Sequence, residues 1–285
     1  MEPQPHSAEY ISDTRFGWWN DDFVRLLVAR AAGGRKVERL ADFGVGEGHW
    51  SLTLARALPD LEHVAGIDRE PEWCKRSAGK YARLQTALRY EPILADVAAT
   101  PLASGSFDLA TAQTLLMHST APERIVQEMA RVVRPGGTVL CVEPINIANH
   151  AMLTQLEPYC SPVERAEIFR IWLVYYKHIK HILGDYDIGG RLPDLLAGAG
   201  LVNIRTYMND KVEVSAAADF NLDHLAEEIG NPRVSDGLRA AGIGPGDFSL
   251  MHEIIGRVGN AMPPPFASAL SASPIIICMG DRPAL

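Results

Sequence analysis

The run RLADFGVGEG at 39–48 places Asp42 and then Gly44, Gly46 and Gly48 at alternate positions, after a short apolar stretch and before a helix-like one. Residues without a Cβ let the backbone turn tightly and come close to a ligand, and the start of a helix offers unpaired N–H groups. The chemistry implied is the cradling of a nucleotide-like cofactor. Acidic Asp42 and Glu47 flank the loop and suit a head group that carries an ammonium as well as a carboxylate. Asp68 closes a second apolar run, HVAGID, 20 residues beyond Gly48, where a carboxylate can accept both hydroxyls of a ribose. Asp96 closes a third.

These residues need a scaffold that brings strand ends together. Trp50, Leu54 and Leu58 recur at i, i+4 and i+8, which predicts a helix stopped by Pro59. His63–Asp68 reads as the second strand, the third lies around Ile93 to Ala95, and the fourth, Asp108–Gln113, follows the turn-like ASGSF. Dinucleotide folds usually carry G-x-G-x-x-G, whose last glycine lets helix and strand close around a pyrophosphate. Here the spacing is G-x-G-x-G, and His49 stands where the third dinucleotide glycine would be, which disfavours a pyrophosphate.

With DFGVGEG at 42–48, GID at 66–68, ADVAATPLASGSFDLATAQ at 95–113 and RVVRPGGTVLCVEP at 131–144, the chain resembles the class I S-adenosylmethionine-dependent methyltransferases. In the R-P-G-G turn, Pro135 is expected to end a helix begun at Pro122, and Thr138 to Val142 to enter the sheet as a fifth strand. The likeness covers about residues 38–144, in the family's order and spacing. It implies an α/β fold: a Rossmann-like, seven-stranded, mostly parallel sheet with helices on both faces and helical lid insertions. It also implies S-adenosyl-L-methionine as cofactor and S-adenosyl-L-homocysteine as product.

Carried over position by position, the resemblance implies that Gly44, Val45, Gly46 and Gly48 line the methionine part of the cofactor, while Asp42 orients the loop or its ammonium. Asp68 would hold the ribose. Asp96 would accept from the adenine amino group, the Val97 N–H would read a ring nitrogen, and Arg69 would flank the adenine. Gln113 and Thr114 would face the methionine moiety. Val45 departs from the commonest form, which has a smaller or sulfur-bearing residue there.

The 285 residues, 47% hydrophobic and 22% charged, can bury a large core, and no separate domain boundary is visible. Net charge is −8 without a basic block, which opposes a nucleic-acid partner. Cys74, Cys141, Cys160 and Cys278 are widely spaced and imply neither zinc nor a disulfide framework. With no basic, apolar start and no long apolar run, the expectation is a soluble, cytoplasmic protein with no membrane partner.

Outside the core at 38–144, residues 1–37 read as an N-terminal cap and a first helix. Asn20 is its candidate N-cap, and Gly33 and Gly34 end it. In similar methyltransferases such a segment folds over the cofactor, so Tyr10, Arg15 and Trp19 are candidates to cap it, with Arg15 pairing with the methionine carboxylate. Residues 145–188 read as a helical lid. Ser161-Pro162-Val163-Glu164 is a capping box that opens a helix of about 20 residues with a stripe of Ile168, Trp172, Tyr175, Ile179 and Ile182. Tyr175, Tyr176, His178 and His181 add polar atoms to it. His178 and His181, with Asp185 four residues further, share a helix face, but nothing else demands a metal, and none is assigned.

Residues 189–285 would complete the sheet, with strands at Val202–Met208 and Pro274–Met279. Between them, about 212–270, helices are expected around Leu222 to Ile229, Arg233 to Ala241 and Phe248 to Val258, with the prolines at 263–265 as a stiff link. This insertion would either narrow the acceptor pocket or build a homodimer interface.

The candidate catalytic groups are His118, Glu143, Tyr175 and His178, near an acceptor expected to be a small biosynthetic molecule with an O, N or C nucleophile. His118 also reads as a cap of the next helix and Glu143 as the anchor of a turn. Two rivals stand beside methyl transfer: a non-catalytic cofactor-binding regulatory subunit and an NAD-type oxidoreductase, the latter disfavoured by the glycine spacing.

Overall fold

The computed structural model describes residues 13–84, 87–151, 156–180, 184–216, 230–260, 268–271 and 274–284. Tyr10, His181, the expected helix at 222–229 and the prolines at 263–265 lie outside the described residues. After a 3-10 turn at Asp13–Trp18, the chain runs α1 (Asp21–Ala32), β1 (Arg39–Phe43), α2 (His49–Ala55), β2 (His63–Asp68), α3 (Pro71–Ala82) and β3 (Arg89–Leu94). There follow β4 (Phe107–Gln113), α4 (Pro122–Val132), β5 (Val133–Pro144), α5 (Asn146–Ala151), α6 (Pro162–Ile179) and α7 (Leu192–Gly198). The last are β6 (Val202–Met208), β7 (Glu213–Ala216), α8 (Pro232–Ala240), α9 (Pro245–Asn260), β8 (Ser268–Ser271) and β9 (Ile275–Asp281).

The main sheet has seven strands in the order β3-β2-β1-β4-β5-β9-β6. β1 pairs in parallel with β2 and β4, β2 with β3, and β4 with β5, while β6 and β9 are antiparallel. The mostly parallel sheet expected from the sequence is therefore present. Winding runs outward from β1 to β3 and restarts at β4 on the other side of β1. Ligands of such sheets bind at the carboxyl ends of the strands where the order switches, and that switch lies between β1 and β4.

Strands β2 and β4 are buried along their whole length, and β1 along all but its first residue, the pattern of parallel strands covered on both faces. Leu40, Val64, Leu109, Leu140 and Ile277 share a core with Val24, Leu27 and Val28 of α1 and Trp50, Leu52 and Leu54 of α2. The alternate positions Ala41, Phe43, Ala65, Ile67, Ala110, Ala112 and Cys141 are equally inaccessible.

Several local expectations are corrected. Helix α2 ends at Ala55, short of Pro59, although Trp50, Leu54 and Leu58 are all buried as the stripe requires. Pro135 does not end α4: the helix stops at Val132, and Pro135 lies inside β5, at an irregularity where the register to β4 shifts. A strand start beside a bulge tolerates a residue with no N–H. Asn20 occupies the N-cap of α1 with extended backbone but makes no side-chain capping bond. At the other end Gly33, in the left-handed region at φ 56°, closes α1 as expected.

The chain folds as two compact units, residues 1–143, 188–210 and 275–285 forming one, and residues 144–187 and 211–274 the other. In the second unit Ser161 and Glu164 cap α6 reciprocally. Its core joins Ile168, Ile171, Trp172 and Tyr175 of α6 to Leu238 of α8 and Met251, Ile254 and Val258 of α9. Arg170 of α6 reaches Asp247 at 2.6 Å and Arg257 of α9 reaches Glu164 at 2.5 Å. This unit also holds a two-stranded antiparallel sheet of β7 and β8, which the sequence reading did not foresee.

Candidate cofactor site

The carboxyl ends of β1, β2 and β4 build the site. Past Phe43, Gly44 and Val45 both donate their N–H to the Ile67 carbonyl, at 2.8 and 2.9 Å, which bends the chain across the end of β2. Gly44 has φ +69°, and a Cβ there would lie 2.6 Å from the Leu115 side chain. Gly48 has φ +82° and seats its backbone against Tyr81, 3.3 Å from where a Cβ would be. Both positions combine a left-handed backbone with close packing, so only glycine fits without strain.

Asp68 meets this loop directly. Its Oδ2 accepts from Gly46 N–H at 3.0 Å, and its Oδ1 accepts from Glu70 N–H at 3.0 Å. Burial raises the pKa of its carboxyl, the backbone bonds from Glu70, Gly46 and Arg69 oppose this, and the Glu70 charge adds to the rise. Each oxygen keeps a second lone pair for a further donor. The Asp68 carbonyl accepts from Ala95 N–H at 3.0 Å, which draws the end of β3 alongside. Asp96 is exposed and its Oδ1 accepts from Ala98 N–H at 2.8 Å, with Val97 half-buried beside it. Arg69 is exposed at the rim, 3.6 Å from Glu70.

Asp42, beside Thr111 in the sheet register, is 1% exposed, and its Oδ2 has no hydrogen-bond partner among the described residues. Burial pushes its pKa up to about 7 against two hydrogen bonds from Ser51, with the Asp68 charge adding to the rise. Two residues beyond Thr111, Gln113 is buried with its Nε2 also unpartnered. Buried polar atoms are almost always paired. An orphaned acceptor at the end of β1 and an orphaned donor at the end of β4 therefore mark a place built for a polar ligand.

Thr114 sits in the left-handed region at φ 48°, unusual outside glycine. Its N–H donates to the Val142 carbonyl at 2.9 Å, and its Oγ1 accepts from Arg15 Nη1 at 3.2 Å. Arg15 stacks over Trp18, and burial lowers its pKa. Phe16 packs edge-on against His49 at the start of α2. The described N-terminal segment thus touches both sides of the switch point, while Trp19 is a core residue packed against Trp50.

Glu47, expected to flank the loop as an acid suited to an ammonium-bearing head group, is instead paired with two basic residues of α3. Burial works against its ionisation, but bonds from Lys80 at 2.8 Å and Arg76 at 3.0 Å outweigh it and hold the carboxyl below its ordinary value. Its charge is answered by α3, which leaves Asp42 and Asp68 as the acids facing inward. No short-range signal pointed to Lys80 or Arg76, nor to Tyr81, whose ring stacks on Tyr90 at 3.9 Å behind the loop.

The candidate catalytic residues divide between the two units, Glu143 and His118 in the first and Tyr175 and His178 in the second. Glu143 is wholly buried, its Oε1 accepting from Leu115 and Leu116 N–H at 2.9 and 2.7 Å and its Oε2 from Met117 N–H at 3.3 Å. Burial pushes its pKa up to about 8 although the three backbone bonds oppose it. Its geometry is that of an anchor for the turn after β4, not of a base turned toward an acceptor. His118 ends that same turn and is exposed. Tyr175 is 8% exposed in the core of the second unit, edge-on to Trp172 and against Gly237, a packing position. His178, near the end of α6, is half-buried.

S-adenosylmethionine fits the residues present: carboxylates for an ammonium and a ribose, a glycine cradle, and a half-buried arginine for a carboxylate. Residues 41–141 match the family model described as a methyltransferase domain. A demethylmenaquinone methyltransferase from Oceanobacillus iheyensis is 29% identical over 133 residues, 47% of this chain and 53% of that protein. A ubiquinone biosynthesis O-methyltransferase from Cupriavidus pinatubonensis is 31% identical over 152 residues, 50% of this chain and 59% of that protein. The chain thus spans little more than half the length of these curated relatives. A candidate methyltransferase from Bacillus halodurans shares the fold, with TM-score 0.51 and 14% identity over 91% of this chain and 99% of that one. No helix among the described residues is long and apolar enough to cross a membrane. The glycine cradle and the acidic strand ends all lie within 41–141, the stretch that matches the methyltransferase-domain model, and in that stretch the chain is similar to the class I S-adenosylmethionine-dependent methyltransferases.

Proposed function

We propose that the protein transfers a methyl group from S-adenosylmethionine to a small biosynthetic acceptor with an aromatic or partly apolar face. The observation that carries the reading is the meeting of Gly46 with Asp68 beside the orphaned polar atoms of Asp42 and Gln113. The relatives named for menaquinone and ubiquinone chemistry support an acceptor that bears an aromatic ring.

When bound, the cofactor supplies a methyl group made electrophilic by a positive sulfur. The chain's part is to bind, orient and exclude water. Asp68 and the N–H groups of the glycine loop hold the ribose side, and Asp96 with Val97 holds the base. Asp42 and Gln113 answer the methionine ammonium and carboxylate together with Arg15. A proton sits on Asp42 about half the time near pH 7, and an ammonium beside it drives that proton off. Glu143 holds the turn that carries His118, the exposed group best placed in sequence to take a proton from an acidic acceptor.

The test is transfer of a labelled methyl group from S-adenosylmethionine into a metabolite extract, read by mass spectrometry. A labelled product that disappears with Asp68→Ala is expected. Tight cofactor binding with no labelled product in any extract would instead favour the regulatory-subunit reading.

A further inference from the structure

A cleft of about 470 Å³ opens at the amino-terminal edge of the main sheet, where the end of α1, the start of β5, the start of β6 and the end of β9 meet. Arg30, Arg35, Arg205 and Arg282 line it, against the single carboxylate of Asp281. Asp281 is already engaged. It receives Arg205 Nη1 and Nη2 at 2.9 and 3.0 Å and the Thr138 hydroxyl at 3.0 Å. Arg205 is thereby neutralised. Arg30, Arg35 and Arg282 have no acidic partner among the described residues, in a chain whose net charge is −8.

Two of these three arginines are also held in place. Arg35 uses Nε and Nη2 on the Ala32 and Ala31 carbonyls and on Thr138 Oγ1, which closes the end of α1 and leaves Nη1 over. Arg282 uses Nη1 on the Arg131 and Val133 carbonyls, which leaves its Nε and Nη2. The Arg30 guanidinium stacks on the Tyr207 ring at 4.3 Å and makes no hydrogen bond among the described residues. Backbone carbonyls cancel no full charge, so three guanidinium groups focus a positive potential on one volume. Planar forks fixed before binding match the oxygen faces of phosphate, and clefts of a few hundred Å³ take small molecules.

We infer that this cleft binds a small phosphate-bearing anion, at a site on the far edge of the sheet from the cofactor. A single carboxylate would engage one fork only. A di- or polyphosphate group presents enough oxygen faces for three.

Titration of inorganic pyrophosphate into the full chain, read as heat with ionic strength held constant by chloride, tests the assignment. Saturable binding at one site is expected. Arg30→Glu should weaken it about tenfold or more, and Arg30→Lys should restore part of the loss. Since Arg30 makes no hydrogen bond among the described residues, both variants should keep the wild-type circular dichroism spectrum. Arg124→Gln, at an exposed arginine of α4, should bind as the wild type does. The assignment is overturned by absence of saturable heat, by unchanged affinity in folded Arg30→Glu, or by an equal loss in Arg124→Gln.

Discussion

Two buried carboxyl groups close neighbouring parts of the sheet and behave oppositely. Asp42, at the end of β1, and Glu143, at the end of β5, are both buried, and burial raises both, to about 7 and about 8. Glu143 is fully answered by three backbone N–H groups of one turn. Asp42 leaves Oδ2 with no partner among the described residues. Burial and a raised pKa therefore do not identify a functional acid. The state of its hydrogen bonds does: the satisfied group builds the scaffold and the unsatisfied one is poised for a ligand.

The contrast breaks first at Glu143. Glu143→Ala strands the N–H groups of Leu115, Leu116 and Met117, and should cost about 2–4 kcal/mol of folding stability in urea denaturation. An unchanged midpoint would show that the turn does not depend on its anchor. On the ligand side, Asp68→Ala should weaken S-adenosylhomocysteine binding by about 1–3 kcal/mol in a calorimetric titration, and equal affinity in the folded variant would remove Asp68 from the site.

Asp42→Asn should separate stability from binding. The folded-state pKa of about 7 stands above the ordinary 3.8, so the folded protein holds the extra proton and loses stability as pH rises from about 4 through about 7. Asparagine cannot ionise. The variant's melting temperature should therefore fall less than the wild type's across that window, while its cofactor affinity drops. A parallel fall in both proteins would contradict the raised pKa. The smallest effect is expected from Arg15→Ala, about 0.5–1.5 kcal/mol in cofactor binding with little change in melting temperature. A large loss of stability there would make Arg15 a structural residue.

What was legible in the sequence follows from the range of the forces involved. The glycine loop, the bounds of β2 and β6, and the Ser161–Glu164 cap rest on neighbours a few residues apart, and each is present. Asp68 was identifiable because a strand end and a spacing encode it. Glu47 misled, since Lys80 and Arg76 answer its charge only after α3 packs beside the loop. Pro135 misled because a bulged strand start accepts it as readily as a turn. The pairing of β7 with β8 joins segments more than fifty residues apart, with Glu213 opposite Ser271. Neither strand has a local signature beyond four residues. Likewise, nothing in the spacing of Tyr175 shows that its ring packs against Gly237 of α8.

Titration of S-adenosylhomocysteine at a series of pH values, in the wild type and in Asp42→Asn, tests the central claim most directly. One molecule should bind per chain, with wild-type affinity rising between about pH 6 and about pH 8 as Asp42 loses its proton, and with that rise absent in the variant. Failure to bind, or the same pH profile in both proteins, would contradict the assignment of the strand ends as a crevice for a cationic nucleoside.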